Sequence, residues 1–340
     1  MKYSDITSLV DKKTIDYEGR ISKIGKTVYL CYTNSYLRFW TNGTTVKAHI
    51  LSNITETVDM AGLMIFVDDM ETPVNEIVLD KDDAWYQLCT LDGKRHLVTI
   101  VKITEAQKSH AGFVNIEIAD GDMDENVIWE KPELKLEFLG DSITCGYGVL
   151  GEPESEYTLR DEQGLLSYAH ICTKLLNARG RYISASGFGV YVDYLKNTED
   201  VVPKIYPYQN YFLNDDLCDF LEYEPDVTVI NLGTNDSGHI GDAEVSEGFV
   251  NAYVNLIKTV RNAHQNTKIV CTIGTLCGIM FELIEKAIEI AKADGINDIF
   301  YIKLPYHDVE NDGMASMHPS RITHEKDGKR LAEFIRKEIL

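Results

Sequence analysis

The stretch "LEFLGDSITCGYG", residues 136–148, decides how the rest of the chain is read. The run "LKLEFLG" alternates apolar and polar residues, which is a strand signal. Glycine then lets the chain turn sharply, and a serine just beyond the turn stands at a strand end with its hydroxyl exposed. That position suits a nucleophile. A serine there also suits a helix N-cap, so the stretch does not decide its chemistry alone.

Downstream, strand and helix patterns alternate. The amphipathic "LLSYAHICTKLLN" precedes the strand "YISASG", and after a long polar and aromatic stretch comes "DVTVINLGTND". A helix "VSEGFVNAYVNLIKTVRNAH" leads to "KIVCTIG", and a helix "MFELIEKAIEIAKADG" leads to "NDIFYIKL"; the chain closes on "THEKDGKRLAEFIRKEI". This order predicts a parallel sheet with helices on both faces, whose ligands bind beyond the carboxyl ends of the strands. Upstream, residues 15–119 have period two. "KTVYLCYTNSYLRFWTNGTTVKAHI" alternates around Asn42-Gly43, and "WYQLCTLDGKRHLVTIVKI" predicts two strands joined as a hairpin at Asp92-Gly93. "LMIFVDD" and "FVNIEIADG" add strands, so a sandwich or jelly roll is expected. We expect the sandwich over 1–125, a linker over 126–133, where an acidic stretch ends at Pro132, and the α/β domain over 134–340.

Composition narrows the function. The 340 residues are 44% hydrophobic and 26% charged, enough to bury a large core. Against 33 basic residues stand 54 acidic ones, a net charge of -21, which repels phosphate backbones and anionic membranes. Nucleic acid and membrane are therefore not expected as partners. A neutral or cationic substrate fits better, although such a charge also serves solubility. The seven cysteines are irregularly spaced inside apolar runs, with no CxxC pair, which predicts reduced buried thiols and no zinc site. The N-terminus shows no apolar leader and no run long enough to span a bilayer, so a cytoplasmic location is expected. Neither oligomeric state nor a separate binding role of the sandwich is legible.

Small and polar residues collect where the predicted strands end. They are Gly140, Asp141 and Ser142; Gly187 and Gly189; and Gly233, Asn235 and Asp236; a late "MHPS" adds His318. These are the parts acyl transfer needs. A serine hydroxyl requires a base to take its proton, and the developing oxyanion requires donors fixed in advance. The backbone N–H groups of Ser142 and Gly187 and the Asn235 amide can supply three. Asp141 and Asp236 read as turn-holding partners, and Gly189 as the fallback donor. Of the nine histidines, His318 is preferred over His324, expected on the last helix either at the surface or behind the site, and over His307, which follows a strand.

Taken together, "GDSITCGYG", "SASGFG", "GTND" and "HPS" resemble the four sequence blocks of SGNH hydrolases, and the preceding sandwich makes the chain similar to carbohydrate esterase family 2. The resemblance implies a flavodoxin-like three-layer domain and removal of O-acetyl groups from plant polysaccharides and oligosaccharides, often at O-6. It implies Ser142 as nucleophile, Ser142, Gly187 and Asn235 as oxyanion hole, and His318 as base, with no cofactor or metal. The alternatives are an esterase or thioesterase for another small acyl group, or a catalytically weak carbohydrate-binding protein. One departure stands out. The aspartate usual two or three residues before the histidine is replaced by Ser316 and Ala315. Either a backbone carbonyl in "GMAS" holds His318, which we favour, or Asp312 folds back as third member. Met317 replaces a sugar-stacking aromatic, which leaves as candidate walls Trp40, Trp85 and Trp129, which read first as core, and the run Tyr206, Tyr208, Tyr211, Phe212, which is equally readable as core.

Overall fold

The computed structural model describes residues 1–213 and 215–340. The chain divides into two compact units, Met1–Lys131 with Tyr208–Asp216, and Pro132–Pro207 with Leu217–Leu340. No helix among the described residues is long and apolar enough to cross a membrane.

The first unit holds β1 (Lys2–Tyr3), α1 (Ile6–Asp11), β2 (Asp16–Glu18), β3 (Ile21–Ile24), β4 (Thr27–Leu30), β5 (Tyr36–Thr41), β6 (Thr45–Leu51), β7 (Ala61–Val67), β8 (Asn75–Leu79), β9 (Asp83–Thr90), β10 (His96–Lys102) and β11 (Ala111–Ala119). All pair antiparallel, in one sheet ordered β3-β4-β11-β6-β9, with β1 also on β11, and a second ordered β2-β5-β10-β7-β8. Alternation decides which side chains meet: Val46, Ala48 and Ile50 of β6 and Leu37 and Phe39 of β5 point into one shared core with Val98 and Ile100. Burying each of these valine, leucine, isoleucine and phenylalanine side chains stabilises the fold by about 1.5–3 kcal/mol.

Asp92-Gly93 does not close a hairpin. β9 pairs with β6 and β10 with β5 and β7, so the turn carries the chain from one sheet to the other. Asn42-Gly43 does the same between β5 and β6. A turn signal specifies a bend, and burial chooses the partner strand. The expected linker is also fastened down. Trp129 Nε1 donates to the Lys13 carbonyl at 2.7 Å, and Lys131 Nζ meets the Asp16 carboxylate at 2.6 Å. None of the three tryptophans is core. Trp40 lies under Arg95, Trp129 under Arg38, and Trp85, 42% exposed, stacks on His49. Tyr206 is buried in the second unit, its hydroxyl donating to Glu137, whereas Tyr208, Tyr211 and Phe212 cluster with the sandwich. There the Tyr208 carbonyl accepts from Arg20 and Tyr32, so this run is fixed by buried polar partners. All seven cysteines are buried and unpaired.

The second unit holds β12 (Lys135–Gly140), α2 (Ser142–Cys145), α3 (Tyr168–Leu175), β13 (Arg179–Ser184), α4 (Val202–Ile205), β14 (Val227–Asn231), α5 (Ala243–Ala263), β15 (Lys268–Thr275), α6 (Phe281–Ala293), β16 (Ile299–Tyr306), α7 (Val309–Asp312), β17 (Met314–Ala315), β18 (His318–Pro319) and α8 (Arg321–Glu338). Its parallel sheet runs β13-β12-β14-β15-β16. Covered on both faces, β12 and β14 are buried almost throughout, hence their near-continuous apolar runs. The long helix α5 buries Phe249, Tyr253, Leu256 and Val260, one stripe of a 3.6-residue period, and Asp242 caps it by accepting from Glu244 N–H.

Candidate active site

The parallel register sets the site. Gly140 of β12 stands opposite Ser184 of β13 and Asn231 of β14, so three strands end level. Ser142, Gly187 and Asn235 follow within four residues of those ends. Asp141 caps α2 by accepting from Ile143 N–H at 3.0 Å, which makes Ser142 the first residue of that helix, not its cap. Ser142 is 6% exposed, and its N–H has no protein acceptor among the described residues, as expected in a first helical turn. Burial pushes the Asp141 carboxyl up to about 7, with the charge of Asp236 adding to it.

Gly187 adopts φ 80°, and a Cβ there would stand 2.8 Å from the Tyr194 ring; that ring is 61% exposed. Glycine suits this turn, because a side chain is strained at that φ and would stand against the ring. Its N–H too lacks a protein acceptor among the described residues. The Asn235 amide donates one N–H to the Phe188 carbonyl at 2.8 Å, leaving its second N–H directed elsewhere. Asp236 braces the same loop: its carboxylate accepts from the N–H groups of Val190, Tyr191 and Val192 at 2.9, 2.8 and 3.0 Å. A Cβ on Gly189 would strike the Val192 carbonyl and Asp236, so Gly189 is part of that brace. Burial raises the Asp236 carboxyl above the usual carboxylate range, against the three N–H groups.

His318 comes from the far end of the chain. The two-residue strands β17 and β18 oppose Ala315 to His318, and Ser316 and Met317 form the turn between them. Nε2 of His318 lies 2.9 Å from Ser142 Oγ, and Nδ1 lies 3.1 Å from the Ser316 carbonyl. The carbonyl only accepts, so Nδ1 carries the hydrogen and Nε2 accepts from the serine hydroxyl. Burial holds the imidazole below the usual histidine range, with the Ser316 carbonyl acting the other way. Tyr147 packs against His318 at 4.7 Å and stacks on Tyr157 at 4.0 Å.

Other candidates fall elsewhere. Asp312 makes no contact with His318; its carboxylate pairs with Lys326, and its carbonyl accepts from Ser320 Oγ. The sequence put no carboxylate nearer, and the carbonyl in "GMAS" is the acceptor the structure presents. Of the two readings of His324, surface or support behind the site, the structure removes the first: it is 1% exposed on α8, accepts from Tyr168 N–H at Nδ1, and burial pushes it down to about 3. Its spacing from Asp327, Gly328 and Leu331 on the buried face was the signal missed. His307 is also buried, its N–H on the Thr275 carbonyl, with no contact to Ser142. Met317 is 65% exposed beside His318. Tyr147, Tyr157 and Tyr194 border the site, and composition gave no sign of them.

Both units of the chain match families of known proteins. Residues 138–300 match the GDSL-like Lipase/Acylhydrolase family, and residues 17–123 match the Carbohydrate esterase 2 N-terminal family. The chain is 33% identical over 256 residues to the cellulase/esterase CelE of Acetivibrio thermocellus, covering 73% of this chain and 30% of that protein. It is 29% identical over 213 residues to an acetylxylan esterase / glucomannan deacetylase of Cellvibrio japonicus, covering 59% and 57% of the two chains. A family two carbohydrate esterase from Clostridium thermocellum, solved in complex with cellohexaose, superimposes with a TM-score of 0.86 at 27% identity, covering 96% of this chain and 99% of that one. The chain therefore belongs to family 2 of the carbohydrate esterases. It spans less than two thirds of the length of the curated relatives it matches.

Proposed function

We propose that this protein is a serine esterase that removes O-acetyl groups from plant-type saccharides. Ser142 Oγ attacks the acetyl carbonyl carbon while His318 Nε2 takes its proton. The oxyanion of the tetrahedral intermediate is held by the N–H groups of Ser142 and Gly187 and the second N–H of the Asn235 amide; one such donor contributes roughly 3–4 kcal/mol to lowering the barrier. The intermediate collapses as His318 returns the proton to the departing sugar oxygen. Water then gives a proton to His318 as it attacks acetyl-Ser142, and His318 passes that proton to Ser142 Oγ as the acyl–oxygen bond breaks and acetate leaves.

The observation that carries this reading is the single imidazole bridging Ser142 Oγ at 2.9 Å and a carbonyl at 3.1 Å. It fixes the tautomer a general base needs. The exposed Tyr194 ring beside Gly187 supports a saccharide ligand, because a pyranose offers an apolar C–H face to an aromatic one. The net charge of -21 favours a neutral substrate over an anionic one. In support, the relatives include an acetylxylan esterase / glucomannan deacetylase.

The test is acetate release, followed position by position by NMR, from acetylated xylo-, manno- and gluco-oligosaccharides. Wild-type protein should release acetate, and Ser142→Ala should lower the rate at least a thousandfold while remaining folded. Turnover by Ser142→Ala within tenfold of wild type would refute the assignment.

A further inference from the structure

The turn that carries the Ser316 carbonyl is not shaped by its own residues. Ser316 and Met317 both occupy the left-handed region, at φ 46° and 62°, and neither is glycine or asparagine. Two consecutive side chains in that region persist only where surrounding structure imposes it. Here the pair reverses the chain between Ala315 and His318 and turns the Ser316 carbonyl onto Nδ1.

A second segment of the same unit imposes the conformation from outside. Ser316 N–H donates to the Glu152 carbonyl at 2.9 Å, and Met317 N–H to the Pro153 carbonyl at 3.3 Å. Ser155 Oγ donates to the Glu152 carbonyl at 3.0 Å and lies 3.3 Å from Ser316 Oγ. Two glycines allow the approach. A Cβ on Gly148 would stand 2.8 Å from Ser316 Cβ, and one on Gly151 would stand 1.9 Å from Ser316 Oγ and 3.1 Å from its Cβ. Gly148 also has φ 69°, whereas Gly151 has no such backbone demand; a Cβ there would force Ser316 Oγ to rotate away and would still press on Ser316 Cβ and the Gly148 carbonyl, at 3.1 and 3.2 Å. The segment is itself anchored, Leu150 N–H on the Asp161 carbonyl and Gln163 N–H on the Gly146 carbonyl.

We propose that residues 148–155 form a clamp that holds the Ser316 carbonyl on His318 Nδ1, with Gly151 as the positioning residue. The clamp supplies by backbone contacts the orientation that a carboxylate supplies in a triad. Its kinetic readout rests on the esterase function proposed above; its spectroscopic readout does not.

The experiment introduces Gly151→Ala and Ser316→Gly, singly and together, into the full chain. Glycine at 316 removes the Ser316 atoms the new methyl would meet and keeps the carbonyl. Long-range proton–nitrogen NMR of labelled histidine reports the His318 tautomer, and initial rates on an acetyl ester report kcat, KM and the pH profile. Gly151→Ala should shift or erase the Nδ1–H signal and lower kcat at least tenfold with KM within threefold. It should also move the acid limb of kcat/KM to lower pH, since the carbonyl that supports the imidazolium is displaced. Compared with Ser316→Gly alone, the double variant should lose less than threefold. Unchanged His318 resonances in folded Gly151→Ala, or an equal loss in both backgrounds, would overturn the clamp. So would a Gly151→Ala chain that fails to fold and is not recovered by Ser316→Gly. A chain with the expected NMR response and no esterase turnover would instead overturn the proposed function and leave the clamp standing.

Discussion

Replacing Asp312 by asparagine separates two ways of orienting a histidine. Were Asp312 the third member of a triad, the change would release His318 into the wrong tautomer, which costs about ten-thousandfold in kcat in serine proteases. At 1.36 kcal/mol per tenfold, that is about 5 kcal/mol of barrier. The structure gives the Asp312 carboxylate a different partner, Lys326, and gives Nδ1 the Ser316 carbonyl. The expected change in kcat is therefore under threefold, below about 0.7 kcal/mol. The cost should fall on stability. Asp312 is buried, but the Lys326 side chain is 45% exposed, so solvent screens the pair and its loss is worth about 1 kcal/mol. For a unit of this size that lowers Tm by about 2–4 °C. Initial rates on an acetyl ester and a thermal melt read both. A loss of kcat of a hundredfold or more with the melt nearly unchanged would refute the reasoning and return Asp312 to the catalytic machinery.

Asp236→Asn should destabilise the protein by about 1–3 kcal/mol in urea unfolding, because the new amide N–H points at the Val190 N–H that the carboxylate now accepts; a loss under 0.5 kcal/mol, by that same principle, would mean the brace around Gly189 is unimportant. The pH profile of kcat/KM on a neutral ester should have its acid limb centred below pH 6.5. His318 must be neutral to act, its folded pKa is lowered, and activity disappears only as pH falls through that value. A limb centred at pH 7 or above would contradict the environment described for the imidazole.

How much of this was legible in the sequence depended on whether the signal was local. Strands buried on both faces leave continuous apolar runs, and glycine marks where they stop, so the ends bearing Ser142, Gly187 and Asn235 could be read and parallel pairing aligned them. Asp92-Gly93 announced a turn, yet nothing local distinguishes a hairpin from a crossing between sheets, since the choice lies in which faces are buried together. The run Tyr208 to Phe212 carried the composition of a binding wall, and its assignment to the sandwich rests on partners such as Arg20, more than a hundred residues away. The left-handed Ser316–Met317 pair escaped reading for another reason. Sequence signals for that conformation are glycine and asparagine, and here the constraint comes from residues 148–155.

A carbonyl in place of a carboxylate has a chemical consequence for the proposed reaction. Both fix the tautomer, but the carboxylate also stabilises the imidazolium, and the carbonyl dipole does so less. With burial pressing the same way, His318 is a weaker base toward Ser142 and, once protonated, a stronger acid. The leaving group of an acetylated sugar is an alkoxide, a poor one that needs a proton as the carbon–oxygen bond breaks. A more acidic imidazolium favours that step, at some cost to the first, by the ordinary relation between acid strength and proton-transfer rate. The oxyanion donors offset the cost, because they stabilise the same tetrahedral intermediate whichever way it collapses. The arrangement around His318 therefore matches an ester whose difficult step is expulsion of an alcohol better than one with an activated leaving group.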